Sequence, residues 1–286
     1  IRDRAQGGMV DTPDVDWYAF MFQDRGALGR APVLMPMHFE DGFPIIGENG
    51  KVPEVVTVLD TGYQYAAING SDDFFYKPDE NGQITLKNFW EFNHQQMDDF
   101  WSVTENPGHL RLHSAKLSPT LFQAYNTLTQ RTVGPKCAAE VTLRFAHMKN
   151  GDVAGISTFI GNYGFTGVKK ENDQFYLIMM GRPAKDTTVF GQFEYENPGL
   201  EYARVPIYGE SICLRAEADF TDKRDLSSFY YKEGDNWQKL GIDQPMYFKM
   251  DLFTGCRFGL FYYSTEQTGG YVDFSKFQFI WPEYVY

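Results

Sequence analysis

Residues 22–47 read FQDRGALGRAPVLMPMHFEDGFPIIG. The stretch holds the pair Gly29-Arg30, an apolar strand-like run after it, and the turn residues Glu40-Asp41-Gly42-Phe43-Pro44. Working back from it, residues 7–46 alternate short strand and turn: GGMVDTP, DWYAFMFQD, APVLMPMHF, EDGFP. In DWYAFMF the alternation sets Trp17, Ala19 and Met21 against Tyr18, Phe20 and Phe22, so both faces are apolar. That pattern predicts a strand covered on both sides. A piece of two or three strands is at best marginally stable in isolation, so these residues must pack on something.

Working forward, residues 47–70 (GENGKVPEVVTVLDTGYQYAAING) carry turn residues and little periodicity, which reads as a linker. From Asp72 onward, alternating strands are separated by Gly, Asn and Asp turns. Residues 137–145 alternate Ala139, Val141, Leu143 and Phe145 with Glu140, Thr142 and Arg144, and residues 214–220 alternate in the same way. Each of these strands has one buried face and one wet face. A hairpin over 228–240 turns at Glu233-Gly234-Asp235-Asn236, and strands follow at 257–264 and 270–280. Many short strands with no convincing helix predict a two-sheet sandwich larger than an immunoglobulin-like domain.

Composition agrees. The 286 residues allow one large or two modest domains, and 17% aromatic content, with 25 Phe and 18 Tyr, suits pleated surfaces. A net charge of −12 without any basic run excludes a nucleic-acid surface, while neutral glycans remain compatible partners. Cys137, Cys213 and Cys256 are odd in number and lie in or beside strand-like runs, which predicts buried thiols rather than a disulfide framework. No apolar run reaches about 18 residues, so no membrane span is expected. The chain begins at Ile1 without Met, n-region or h-region, so any signal peptide was removed or never existed. Cytoplasmic, periplasmic and secreted locations all stay open. His38, His94, His109, His113 and His147 show no paired metal spacing, and Leu110 and Leu112 place His109 and His113 on a strand.

The stretch 22–47 resembles the last blade of the five-bladed propeller of glycoside hydrolase family 43, which contains β-xylosidases, arabinofuranosidases and arabinanases. Four further segments resemble the concanavalin A-like sandwich appended to many of these enzymes. They are FWEFNHQQMDDFWSVTENPGHLRLHS (89–114), NTLTQRTVGP (126–135), MKNGDVAGISTFIGNYGFTGVK (148–169) and TGCRFGLFYYSTEQTGGYVDFSKF (254–277). The expected architecture is all-β: a concanavalin A-like two-sheet β-sandwich, or jelly roll, over residues 71–286. Terminal strands of a five-bladed β-propeller (1–52) and a linker (53–70) precede it.

The resemblance implies inverting hydrolysis of xylosidic or arabinofuranosidic bonds in hemicellulose by an Asp base, a Glu acid and a second Asp that tunes the acid. Inversion needs two carboxyls roughly 6.5 to 9.5 Å apart so that a water fits between base and sugar. In the family these acids lie on earlier blades and no acid of this chain matches their motifs. No catalytic residue is therefore assigned, and the chain alone is expected to be inactive without an upstream propeller polypeptide. The implied partner is a pentose-containing plant polysaccharide or oligosaccharide. The alternative is a non-catalytic carbohydrate-binding or structural sandwich.

Arg30 matches the arginine that reaches the floor of the sugar pocket in the family, a task suited to a fixed, multiply donating guanidinium; the ordinary fate of such a residue is a surface strand. Phe253, Arg257 and Phe258 fall in a loop that in the family leans toward the propeller mouth and narrows the aglycone side, although Phe258 also reads as strand core. Asp72-Asp73-Phe74 and Tyr271-Val272-Asp273-Phe274 match places where related sandwiches hold a structural calcium, with Asp73 and Asp273 as ligands; solvated turn acids are the alternative. Trp90, Trp101 and Trp237 read more readily as core than as sugar platforms. One departure is Ala5, two residues before the Gly-Gly pair. Many family members have there a His that helps hold a central ion, so either the alignment slips or the ion site is altered.

Overall fold

The computed structural model describes residues 4–58, 61–182, 196–247 and 254–281. Among them, helical structure is confined to single 3-10 turns. Four strands come first: β1 (Arg4–Asp11), β2 (Trp17–Asp24), β3 (Arg30–Glu40) and β4 (Phe43–Ile46). They form an antiparallel meander in sequence order, the form a propeller blade takes. A β-bulge between Ala5 and Gly7 offsets β1 against β2, with Gln6 at φ 43°. That extra residue shifts the register by one between Ala5 and Gly7.

One face of the blade is covered over β2 and β3, although Met9 at its β1 edge, opposite Ala19, is 55% exposed. Ala19, Met35 and Met37 are buried there, with Trp17, Met21, Val33, Ile46 and Val52 packed against them. The other face is not, and Val10 and Phe20 stand 52% and 51% exposed on it. The expectation that β2 is covered on both sides therefore holds on one side within the described residues. An apolar side chain left in water at mid-sheet marks a surface made to meet another layer.

After Ile46 the chain runs irregularly, with a bridge between Glu48 and Lys51. It enters the sandwich at Gly70, whose N–H and C=O are both engaged by the Gln130 side chain at 2.9 and 3.1 Å. The sandwich strands are β5 (Glu91–Phe92), β6 (Trp101–Ser102), β7 (Leu110–His113), β8 (Leu128–Arg131), β9 (Lys136–Arg144) and β10 (Asp152–Phe159). Next come β11 (Gly164–Glu171), β12 (Gln174–Gly181), β13 (Leu200–Ile207), β14 (Ser211–Asp219) and β15 (Leu226–Glu233). β16 (Asn236–Lys239), β17 (Gln244–Pro245), β18 (Arg257–Ser264) and β19 (Tyr271–Ile280) complete it.

One sheet has the order β13-β12-β11-β10-β18-β8-β5; the other runs β16-β15-β14-β9-β19-β7-β6, with β17 pairing β15. Neighbours distant in sequence, such as β10 and β18 or β9 and β19, show the crossing connections of a jelly roll. The two ends of the sandwich meet where Asp72 and Phe277 exchange backbone hydrogen bonds of 2.9 Å.

The inward residues of the two sheets interdigitate. Val141 and Leu143 on β9, Leu214 and Ala216 on β14, Phe258 and Leu260 on β18, and Phe274 and Phe277 on β19 form one core. Removing apolar surface of this kind from water supplies about 25 cal/mol per Å². On β9 and β14 the alternate residues face out as predicted, and Arg215 lies 2.7 Å from Glu140 across the strands. β18 is different, because all eight of its residues are buried. Its outward Phe261 and Tyr263 are covered in a second cluster with Leu121, Phe122 and Tyr163. Cys137 and Cys256 are buried and Cys213 is half-buried, all as free thiols. Desolvation pushes the Cys137 thiol up to about 12 and raises Cys256 as well, so neither is a thiolate near neutrality.

Candidate functional site

The turn between β2 and β3 is where blade and sandwich become one object. A single 3-10 turn, Gly26–Leu28, fills it, and Ala27 is fully buried within the sandwich core. Its N–H donates to the Asp225 carboxylate at 3.0 Å, and its C=O accepts the Cys256 N–H at 2.8 Å. Thr132 holds the Cys256 carbonyl from behind through its hydroxyl, at 2.8 Å. Burial raises the Asp225 pKa, against the pull of the Ala27 N–H.

Two glycines permit this approach. A Cβ on Gly29 would lie 2.7 Å from the Gly255 Cα, and one on Gly255 would lie 2.2 Å from the Leu28 carbonyl oxygen. Both also hold positive φ, at 90° and 84°, where side chains are strained. The backbones therefore touch directly.

Arg30 follows this turn as the first residue of β3. Its Nε donates to Asp24 Oδ1 at 3.1 Å, and its guanidinium lies 4.1 Å from the centre of the Phe22 ring. Asp24 is its cross-strand partner, so the ladder itself fixes the pair. The arginine is thus clamped by two blade residues on a turn clamped by the sandwich.

The loop expected to lean toward the propeller mouth touches the β2–β3 turn through Gly255 and Cys256. Phe253 lies outside the described residues. Arg257 is largely buried on β18, its Nε donating to Thr129 Oγ1 at 2.8 Å and its Nη2 lying 2.8 Å from Glu91. Desolvation lowers its pKa. These contacts commit it to joining β18, β8 and β5. Phe258 is fully buried and packs edge-on to Phe279 at 5.9 Å, which gives it a core position with no surface left for a sugar. Of the four residues, Arg30 alone is placed on the blade, half-exposed beside the interface.

A family model described as the beta xylosidase C-terminal concanavalin A-like domain matches residues 79–280. The chain belongs to that family, within glycoside hydrolase family 43. A protein of Formosa agariphila named beta-xylosidase is 28% identical over 313 residues, covering 97% of this chain and 48% of its own length. A solved structure from Bacteroides eggerthii, described as a bifunctional GH43-CE, superposes with a TM-score of 0.84 at 38% identity. That match covers 97% of this chain and 34% of that one. A GH43 hydrolase engineered for both endo-xylanase and exo-arabinofuranosidase activity superposes at 0.82 with 28% identity, covering 96% of this chain and 54% of that one. The chain spans about half the length, or less, of these relatives.

This family 43 sandwich does not fit calcium at the expected acids. Asp273 accepts Arg111 Nε on Oδ1 at 2.7 Å, and Arg111 Nη2 and Asn106 Nδ2 on Oδ2 at 2.8 and 2.9 Å. A guanidinium occupies the place a cation would need, and hydrogen bonds from Arg111 and Asn106 lower the Asp273 pKa against desolvation, the largest influence. Asp72 is likewise enclosed by donors: the Phe74 N–H at 3.0 Å, Trp90 Nε1 at 2.8 Å, Lys87 Nζ at 3.0 Å and the Tyr76 hydroxyl. Asp73 is exposed and accepts only the Phe75 N–H at 3.4 Å. Among the described residues no group of three or more His, Cys, Asp or Glu could hold a metal.

Arg111 is therefore the clasp between β7 and β19. Arg111→Ala is expected to cost about 2 kcal/mol, less than in a fully enclosed pair because Arg111 is partly solvated. Melting temperature measured with calcium and with a chelator should be the same for the wild type; a rise on adding calcium would contradict the arginine clasp.

Sequence reading missed Asp225 and the Gly29-Gly255 contact. Nothing in a single sequence says that residues so far apart in the chain share one turn.

Proposed function

We propose that this chain is the carboxy-terminal portion of a family 43 glycosidase that removes xylose or arabinofuranose from hemicellulose with inversion. The polypeptide that precedes it supplies the general acid and base, and this chain supplies a blade carrying Arg30. One observation carries the reading: a four-stranded blade is bolted to the sandwich by its β2–β3 turn while its Val10 and Phe20 face stays uncovered. A self-contained binding module has no use for such a face or for an arginine clamped beside it. Two of the blade's acids are tied to neighbouring side chains, Asp24 to Arg30 and Glu40 to His38.

In this account the guanidinium fork donates to glycone hydroxyls and balances the negative catalytic carboxylates, and its fixed position lets that stabilisation act without reorganisation. The test uses the protein in which this chain is joined to its upstream polypeptide, with aryl β-xyloside and aryl α-arabinofuranoside as substrates. Proton NMR of the first-formed sugar should show the inverted anomer. Retention of configuration, or no turnover of either pentoside, would contradict it.

A further inference from the structure

An arginine side chain has several rotatable bonds, so it acts as a fixed donor only where its neighbours restrict it. The blade supplies two such neighbours. Asp24 ends β2 and Arg30 opens β3, and the two stand opposite each other across the ladder. Phe22 lies two residues before Asp24, which puts both side chains on one face of β2. The Arg30 guanidinium carbon is 4.1 Å from the centre of the Phe22 ring, and Arg30 Nε donates to Asp24 Oδ1 at 3.1 Å. A ring contact and a directed hydrogen bond thus act on the same group.

The pair is mounted on a tied backbone. The Arg25 N–H donates to the Gly29 carbonyl at 2.9 Å, which closes the ladder just beyond Asp24 and Arg30. Between those two residues lies Ala27, bonded to Asp225 and to Cys256 of the sandwich. Folding stability is a weak reason for the pair, because Asp24 is 45% exposed and an ion pair so exposed contributes little to it. Orientation of the guanidinium is a stronger one. The arginine itself is only 21% exposed, so few directions are left to it.

We propose that Asp24 is the positioning residue of Arg30 in the hydrolytic reaction, assisted by the Phe22 ring. It acts through the arginine and touches no substrate. By accepting from Nε it sets the direction of the guanidinium fork, so that the donors reach the sugar already aligned and no reorganisation is needed at the moment of reaction. What matters is the acceptor oxygen at Oδ1 rather than the full negative charge, because the hydrogen bond is what carries direction. This role rests on the glycosidase reading, which gives a fixed guanidinium its use.

A double-mutant cycle tests it, in the protein that joins this chain to its upstream polypeptide, with aryl β-xyloside and aryl α-arabinofuranoside as substrates. Asp24→Ala is expected to lower kcat about tenfold with little change in KM, since a misaligned donor is lost chiefly from the transition state. Asp24→Asn keeps an acceptor oxygen and should recover most of that loss, with the pH profile of kcat/KM unaltered. In the Arg30→Ala background, Asp24→Ala should cost nothing further, because the group it positions is gone. Its melting temperature should match that of the wild type, which separates misalignment from misfolding. Full additivity of the two substitutions, or wild-type kcat in Asp24→Ala, would overturn the positioning role. So would an inactive Asp24→Asn that loses one limb of the pH profile, the behaviour of a reacting carboxylate. A loss in Arg30→Ala without one in Asp24→Ala sinks the positioning role alone. No turnover by the joined protein sinks the glycosidase reading, and this role with it.

Discussion

Arg30→Ala, made in the protein that joins this chain to its upstream polypeptide, is expected to lower kcat/KM for aryl pentosides about 100-fold, or about 2.7 kcal/mol. On the proposed function, the size follows from removing a fixed, charged, multiply donating group from a pocket that the upstream polypeptide completes, where each donor counts for more than in water. Melting temperature should hardly move. The partner left behind, Asp24, is 45% exposed and is solvated once the arginine is gone, and an ion pair of this exposure contributes little to folding. Arg30→Lys restores the charge without the planar fork, so most of the loss should persist. A rise in KM at constant kcat would place the contact in the ground state as well as the transition state, whereas a fall in kcat would place it in the transition state. Unchanged kcat/KM in Arg30→Ala would return the residue to an ordinary surface pair.

Gly255→Val is expected to produce the largest loss of stability, about 4 kcal/mol. Two costs combine. A β-branched residue at φ 84° is strained, by about 1 to 3 kcal/mol. Its Cβ would also fall 2.2 Å from the Leu28 carbonyl oxygen, so the turn must withdraw from the sandwich and expose Ala27. For a protein of this size that corresponds to a fall of roughly 10 °C in melting temperature. The blade should then melt separately from the sandwich, giving two calorimetric transitions where the wild type gives one. Gly8→Ala is the control, since nothing lies within 4 Å of a Cβ there. A single transition at the wild-type temperature in Gly255→Val would show that the contact does not couple the two layers.

Much of this architecture was legible because strand periodicity is local. The alternation at 137–145 and 214–220 reappears as the inward and outward faces of β9 and β14, and the hairpin turn at Gly234-Asp235 falls between paired Glu233 and Asn236. The pattern of β18 was harder, since it is buried throughout and only the overlying Leu121 and Phe122 explain why. Asp273 shows a different limit. The resemblance to related sandwiches implied a calcium ligand there, yet its nearest charged neighbour, Arg111, comes from β7, far away in sequence. A carboxylate's partner is a three-dimensional fact, and a single sequence contains no register between distant strands. The same holds for Asp225 at the Ala27 turn. The position of Arg30 at the start of β3 was legible because Gly-Arg ahead of an apolar strand is a contiguous pattern.

The most direct test of the central claim compares two proteins on aryl β-xyloside and aryl α-arabinofuranoside: the 286-residue chain alone, and the same chain joined to the polypeptide that precedes it. The account predicts turnover by the joined protein and none by the chain alone, because this chain provides the blade and Arg30 but not the acid and base. Hydrolysis by the isolated chain would contradict it.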